Sequence, residues 1–125
     1  MNVIDSSGWL EYFISDKNAG FFAPVIENPA EVLVPTISLF EVFKRVLIEK
    51  NRDDALEAIA LMKEGVVIDL DDSLALVAAE LSYELKLPMA DSIILATART
   101  YDATLWTQDA HFKDIEGVKY IEKKG

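Results

Sequence analysis

Four carboxylate side chains stand where a strand ends or a helix begins, and they are Asp5, Glu41, Asp91 and Asp109. Asp5 and Asp109 follow short apolar runs that are typical of buried strands, whereas Glu41 and Asp91 fall in the predicted first turns of apolar helices. In a parallel α/β sheet these points lie along one edge, where ligands bind. Clustered carboxylates repel one another unless a cation joins them, and Mg²⁺ and Mn²⁺ prefer oxygen ligands. The pattern therefore indicates a divalent metal site.

A site of this kind can hydrolyse a phosphodiester bond. A divalent ion lowers the pKa of a water bound to it and neutralises charge that builds on the phosphorus. Two ions about 3.5–4 Å apart could hold both the attacking and the leaving oxygen. Ser6 and Thr107 place hydroxyl groups beside Asp5 and Asp109, where they could bond a carboxylate or a metal-bound water. Hydroxyls at strand ends can equally bond the backbone.

Each of the four acids also has a purely structural explanation. Asp5 could cap the helix that follows it, and Asp109 could cap a short turn that follows it. Glu41 stands three residues after Ser38, which is the spacing of a capping box. Asp91 falls in a first helical turn, where the helix dipole favours a negative charge. Each explanation is reasonable for one residue, but their shared position at one sheet edge favours a common function.

The elements that would position these acids alternate between strand and helix patterns, as in βα units with a parallel sheet. The predicted strands are 2–5, 32–35, 66–69, 104–107 and 118–121. The predicted helices are 7–14, 19–27, 36–49, 53–63, 72–85 and 89–101. Pro24 weakens the second helix, because an interior proline removes a hydrogen bond. We expect an α/β fold, a three-layer α/β/α arrangement with a central parallel sheet, as one domain over residues 1–125.

Composition excludes several classes of function. Without cysteine, the chain has neither a disulfide framework nor a thiolate metal site. Its single histidine, His111, excludes polyhistidine zinc sites; no partner for it is visible, and we expect it in an exposed turn. No strand is followed by a glycine-rich loop for a nucleotide. No apolar run approaches the ~18 residues of a membrane span, so we expect a cytoplasmic protein with no membrane partner.

The net charge of −10 at first argues against a nucleic-acid partner, because Lys and Arg normally bind phosphates. Metal ions held by the acids would reverse the local sign of the field. Basic residues also cluster at positions 44, 45, 50 and 52. We expect Lys44 and Arg45 to contact nucleic-acid phosphates, with Arg99 as a further candidate. The alternatives are a solvated helix face for the cluster and an ion pair with Asp102 for Arg99.

Motifs along the whole chain carry a family resemblance. They are VIDSS at 3–7, PTISLFEV at 35–42, LPMAD at 87–91 and WTQDAHF at 106–112. No single motif is specific, but the ordered set resembles the PIN-domain family, and the compact length is similar to that of its VapC-type toxins. The resemblance implies that the four acids are the catalytic, metal-binding residues of a magnesium-dependent endoribonuclease. It also implies a homodimer that acts on an RNA substrate and is neutralised by a cognate antitoxin.

Two other interpretations stay open. A PIN-like interaction module could have kept the fold and lost catalysis, although the intact acids argue against this. A phosphoacceptor domain of the receiver type also gathers aspartates at strand ends, but it requires a lysine where this chain has TQD at 107–109.

Trp9, Tyr12 and Phe13 recur at helical spacing, which favours the core or a dimer interface over stacking on bases.

An acidic site also attracts a cationic side chain from a partner protein. If the partner is an antitoxin, we expect one of its arginines to reach Asp5, Asp91 or Asp109, because the guanidinium fork matches a carboxylate. Apolar antitoxin side chains would then dock on the first and third helices, around four aromatic residues. These are Trp9, Phe13, Phe40 and Phe43.

Overall fold

Five parallel strands form the centre of the computed structural model, which describes residues 1–124. They are β1 (Asn2–Ile4), β2 (Val32–Pro35), β3 (Val66–Ile68), β4 (Thr104–Thr107) and β5 (Val118–Tyr120). Their spatial order is β3-β2-β1-β4-β5. The chain moves outward from β1 to β3 and then returns to β4 on the other side of β1. β1 and β4 therefore flank the reversal of strand order, which is where open α/β sheets bind ligands.

Helices cover both faces of the sheet. Within residues 1–124 they are α1 (Ser6–Leu10), α2 (Ala19–Ile26), α3 (Thr36–Glu49), α4 (Arg52–Met62), α5 (Asp72–Leu85) and α6 (Met89–Thr100). A π-helical turn, Glu11–Ser15, continues α1, and short 3₁₀ turns occur at Pro29–Glu31 and Ala110–Phe112. The expected three-layer α/β/α arrangement is confirmed. In the described part of the chain, no helix is long and apolar enough to cross a membrane.

The sheet separates two apolar clusters, because successive side chains of a strand point to opposite faces. Val3 and Leu33 pack on the side of α5 and α6. Ile4 and Val34 pack on the side of α1 to α4. All four side chains are buried. With both faces of its inner strands covered, the sheet provides a fixed frame for the residues at its carboxyl edge.

Most predicted elements are confirmed with shifts of one residue at their ends. The bounds of β2, β4, α3 and α5 are those predicted. β1 was predicted to include Asp5, but it ends one residue earlier. The Asp5 carbonyl accepts hydrogen bonds from the backbone N–H groups of Gly8 (2.8 Å) and Trp9 (3.3 Å), so Asp5 begins the helix instead. Pro24 lies inside α2, which forms despite it.

Gly8 allows α1 to pack directly on the sheet and on α2. A Cβ atom at this position would lie 2.6 Å from Cε1 of Phe22 and 2.7 Å from Cγ2 of Ile4. Both neighbours are fully buried, so neither can move away easily. The absence of a side chain at Gly8 therefore allows α1 to lie close to β1. The residues at the start of α1 are held near the end of that strand as a result.

Candidate functional site

Asp5 is buried at the junction of β1 and α1. Its Oδ2 atom accepts hydrogen bonds from the Ser7 hydroxyl (2.6 Å), the Thr107 hydroxyl (3.0 Å) and, more weakly, the Ser7 backbone N–H (3.4 Å). Asp5 is thus the N-cap of α1, as the structural explanation predicted. Because these bonds all reach Oδ2, they leave the other carboxylate oxygen for a further partner.

Glu41 lies in the second turn of α3, not in the first turn as the sequence indicated. Its Oε1 accepts a hydrogen bond of 2.7 Å from the hydroxyl of Ser6. The capping-box explanation is wrong, because Pro35 is the N-cap residue and the buried Ser38 hydroxyl has no hydrogen-bond partner in the described residues. Glu41 therefore does not bond back to the start of its own helix. It is held by the helix that follows β1.

His111 joins the other two acids. Its Nδ1 atom is 2.9 Å from Oδ2 of Asp91 and 3.1 Å from Oδ1 of Asp109. The backbone N–H of His111 also donates to Asp109 Oδ1 at 2.9 Å, so Asp109 caps the 3₁₀ turn. The side chain of His111 is 58% exposed. The expected exposed turn is present, but two partners that the sequence did not reveal contact the ring.

The pKa of Asp5 is raised, in part because other acids lie near it. Burial, together with the negative charges of Asp91 and Asp109, raises the pKa of Asp5 from 3.8 to about 6. Hydrogen bonds from Ser7 and Thr107 act in the opposite direction. A buried carboxylate beside two other carboxylates is unfavourable when ionised, and a bound cation would remove that penalty.

Asp91 and His111 show the same electrostatic coupling. Burial raises the pKa of Asp91, and the charge of Asp109 and, to a smaller extent, that of Glu41 raise it further, against the contact with His111. The Asp109 charge is the main cause that raises the pKa of His111. The charges of Asp109 and Glu41 therefore both act on Asp91. We call Asp5, Glu41, Asp91 and Asp109 the acidic cluster.

The match to a known family comes from the sequence profile of the PIN domain, which covers residues 3–118. This chain belongs to the PIN domain family. No curated protein is similar enough to the chain to count as a match.

Several solved structures share this PIN fold. A toxin–antitoxin complex from Klebsiella pneumoniae has a TM-score of 0.80 and 22% identity, over 95% of this chain and 96% of that chain. VapC20 of Mycobacterium tuberculosis, a toxin that cleaves the sarcin–ricin loop, has a TM-score of 0.77 and 17% identity, over 93% and 95%. VapBC2 of Rickettsia felis, bound to a DNA fragment from its promoter, has a TM-score of 0.72 and 18% identity, over 97% of each chain. Identities this low show a common fold.

The residues at this PIN-domain site fit a divalent cation. Ligand atoms of Asp91, Asp109 and His111 all lie within 4.8 Å of one another. Asp5 shares the electrostatic environment of Asp91 and Asp109, as its raised pKa indicates. Carboxylate oxygens suit Mg²⁺ and Mn²⁺, and an imidazole nitrogen suits transition ions. The donor set therefore matches the kind of metal that the sequence indicated.

A groove of about 290 Å³ passes Glu41 on α3, and it is lined by Ser6, Leu10, Phe40, Glu41, Lys44, Arg45 and Ile48. Nζ of Lys44 lies 5.9 Å from the centre of the Phe40 ring. Nε of Arg45 lies 3.8 Å from Oε1 of Glu49, in an exposed ion pair of the kind that contributes little. Both predicted phosphate-binding residues therefore share a groove with Glu41.

Arg99 is the predicted site residue that the structure does not bring to the acidic cluster. It is exposed and stands eight residues after Asp91 in α6, about 12 Å further along the helix axis. That end of α6 precedes β4, so Arg99 is near the opposite edge of the sheet. The spacing of the two residues within one predicted helix already implied this separation.

The sequence did not predict a buried polar network that includes Gln108, the residue before Asp109. Glu11 accepts hydrogen bonds from the Gln108 side chain (2.8 Å) and the Asn18 backbone (2.9 Å), and the Asn18 side chain donates to Gln108 (2.9 Å). Although burial acts to raise it, these bonds lower the pKa of Glu11. The network holds the segment between Thr107 and Asp109 against the π-helical turn, and so positions both residues.

Proposed function

We propose that this PIN domain, a single domain over residues 1–125, is a metal-dependent endoribonuclease and the toxin of a toxin–antitoxin pair. One observation carries the proposal: four acids from four separate segments approach one another at the carboxyl edge of the sheet, beside the reversal of strand order. Family membership supports a nuclease, and the toxins among the similar structures support the biological role.

The acidic cluster would hold Mg²⁺, with Mn²⁺ able to take its place. When bound, the ion would polarise the phosphodiester and lower the pKa of a nearby water. The chain itself orients the acids: Ser7 and Thr107 fix one oxygen of Asp5, and Ser6 fixes one oxygen of Glu41. Hydrogen bonds to ligands of this kind fix their orientation before the metal binds.

The RNA substrate would enter along the groove on α3. Lys44 and Arg45 line this groove one helical turn beyond Glu41, within reach of phosphates that flank the scissile bond. A metal ion in the cluster would add positive charge at the end of the same groove. Together these cations would offset the net charge of −10 where the RNA backbone binds. An RNA substrate also fits a cytoplasmic location.

A cognate antitoxin is the protein partner that we propose. An apolar groove of about 490 Å³ between α3 and α4 is lined by Leu39, Phe40, Phe43, Lys44, Leu47 and Ile59. Phe40 is 62% exposed and suits an anchor of a partner, but Trp9 is only 1% exposed. Of the four aromatic residues around which we expect antitoxin side chains to dock, Trp9 offers almost no surface, because its indole lies in the core, where it stacks on Phe13 at 5.9 Å.

A homodimer is also part of the proposal. Large apolar side chains are exposed on α5 and at the start of α6, among them Leu76 (68%), Tyr83 (80%) and Met89 (72%). An exposed apolar surface of this kind is typical of an interface. Sedimentation of the purified protein checks this assignment, and a monomer at all concentrations would contradict it.

The experiment that tests the catalytic proposal is an RNA cleavage assay with controlled metal. We expect cleavage with Mg²⁺ or Mn²⁺, complete loss in excess EDTA, and recovery when metal is added back. Circular dichroism in EDTA should show an intact fold, which separates loss of catalysis from unfolding. Undiminished cleavage in EDTA would overturn the metal mechanism. Tight RNA binding without cleavage under any metal would instead support an inactive PIN-like interaction module.

A further inference from the structure

We propose that His111 is a direct ligand of the bound metal and makes the site prefer Mn²⁺ over Mg²⁺. The inference rests on the proposed function, because it assumes that the acidic cluster holds a divalent ion. It adds a nitrogen donor to a site that otherwise consists of carboxylates.

The short 3₁₀ turn Ala110–Phe112 fixes the position of the His111 ring. Its first residue follows Asp109, whose Oδ1 accepts the His111 backbone N–H at 2.9 Å. Its last residue, Phe112, is fully buried in the core. The turn is therefore anchored at both ends. The His111 ring is exposed on its outer side, yet it presents Nδ1 to the two carboxylates.

The distances around Nδ1 match those between neighbouring ligands of one metal ion. With octahedral bonds of about 2.1 Å, adjacent ligand atoms lie about 3 Å apart. Nδ1 is 2.9 Å from Asp91 Oδ2 and 3.1 Å from Asp109 Oδ1, and the three ligand atoms all fall within 4.8 Å of one another. All three can therefore be ligands of a single ion without a large movement.

A hydrogen bond from His111 to Asp91 accounts for only part of this arrangement. Nδ1 carries at most one hydrogen, which can point well at only one acceptor. Here two carboxylate oxygens lie at nearly equal distances from the same nitrogen. A hydrogen shared between two acceptors makes a weaker bond with each, whereas one cation among three lone pairs satisfies all of them. With a cation bound, the same geometry lets Nδ1 serve as a ligand instead of a hydrogen-bond donor, because both carboxylate oxygens already lie at ligand-to-ligand distances from it.

The nitrogen donor determines which ion is preferred. Mg²⁺ binds oxygen almost exclusively and keeps several waters, so an imidazole adds little to its affinity. Transition ions accept imidazole nitrogen readily. Of the two ions that suit the carboxylates, Mn²⁺ therefore gains more from His111 than Mg²⁺ does. Removing the imidazole should reduce Mn²⁺ affinity while leaving Mg²⁺ affinity nearly unchanged.

The test uses Mn²⁺ and electron spin echo spectroscopy on untagged protein. The chain contains a single histidine, so a signal from an imidazole nitrogen coupled to Mn²⁺ can come only from His111. We expect this signal in the wild type and not in H111N or H111A. The asparagine variant places an amide oxygen near the position of Nδ1, and so keeps an oxygen ligand while removing the nitrogen.

Affinities complete the experiment. Mn²⁺ titration and competition with Mg²⁺ give the ratio of the two affinities. In H111A this ratio should fall at least about tenfold, since even an outer-shell partner of a ligand is worth ~10–100-fold. Bound Mn²⁺ with no nitrogen signal, or an unchanged ratio in both variants, would show that His111 is only a hydrogen-bonding neighbour while the proposed function stands. If the wild type binds neither ion, the proposed function fails together with this inference.

Discussion

Asp5 caps a helix and also belongs to the acidic cluster, and its two oxygens make these roles compatible. The cap and the Thr107 contact use Oδ2. Asp109 likewise caps the 3₁₀ turn through Oδ1, which also approaches the His111 ring. The prediction that these two residues cap the segments that follow them was therefore correct. Capping orients each carboxylate at the sheet edge, where a metal could bind it.

Substitution of Asp91 separates a metal ligand from a first-turn acid. We expect D91N to lower the cleavage rate more than about 100-fold, because even outer-shell partners of a metal ligand are worth ~10–100-fold. Its melting temperature in EDTA should hold or rise, because burial and Asp109 disfavour the ionised form of Asp91. The matched control is D72N, an exposed first-turn acid of α5, which should cost about 0.3–1 kcal/mol and keep full activity. Near-full activity of D91N would mean that Asp91 is not a metal ligand and only interacts with the helix dipole.

The raised pKa of Asp5 predicts how stability depends on pH without metal. The folded protein holds a proton on Asp5 up to about pH 6, whereas the unfolded chain releases it near 3.8. The folded state thus binds more protons between these values, and the free energy of unfolding should fall as pH rises through this window. The Asp5 contribution is at most about 3 kcal/mol. Urea unfolding in EDTA at a series of pH values measures it, with D5N as the reference. A constant difference between wild type and D5N from pH 4 to 7 would contradict the shift.

Helices and strands were predictable from the sequence where one hydrophobic pattern dominates a segment. The side-chain contacts between these elements were not. The periodicity of α3 and α5 and the apolar runs of β2 and β4 gave bounds that the structure confirms. The sequence predicted that α1 begins one residue later than it does. The position at which the helix begins determines which of the two serines faces Asp5. Ser7 bonds Asp5, and Ser6 bonds Glu41 instead.

Two features of the site left no signal in the sequence. His111 meets Asp91 across twenty residues, through a contact between α6 and a 3₁₀ turn that no spacing rule describes. Glu11 is a charged residue of a type usually found at the surface, but it is buried, where Gln108 and the Asn18 backbone donate hydrogen bonds to its carboxylate. Both depend on tertiary packing, which local propensity does not determine.

The long helix α3 carries the prediction about RNA binding. Changing Lys44 and Arg45 together to Ala should weaken RNA binding and reduce the slope of log affinity against log salt by roughly 0.7–0.9 for each lost contact. Metal affinity should not change. The matched control removes two exposed basic residues, Lys63 and Arg99, which precede β3 and β4 at the opposite edge of the sheet. An unchanged slope in the α3 variant would mean that Lys44 and Arg45 belong to a solvated helix face and do not contact RNA. A reduced slope in the control would mean that Arg99 contacts RNA.

The whole molecule combines a net charge of −10 with an acidic site, which favours a cationic side chain from its partner. We expect an antitoxin arginine to reach Asp5, Asp91 or Asp109 and to exclude the metal by competing for the same oxygens. Inhibition should then weaken as Mg²⁺ is raised. The measurement is metal occupancy in complexes with wild-type antitoxin and with that arginine changed to Ala. Equal occupancy in the two complexes would mean that the antitoxin inhibits by covering the RNA groove.

The central claim is that the acidic cluster holds a divalent ion, and anomalous diffraction from crystals soaked in Mn²⁺ tests it most directly. We predict an anomalous peak about 2.0–2.3 Å from carboxylate oxygens of Asp91 and Asp109, on the side that faces Asp5 and Glu41. The peak should disappear in crystals of D91N soaked in the same way. The absence of a peak at the cluster in wild-type crystals, with cleavage-competent protein and Mn²⁺ bound elsewhere, would contradict the account.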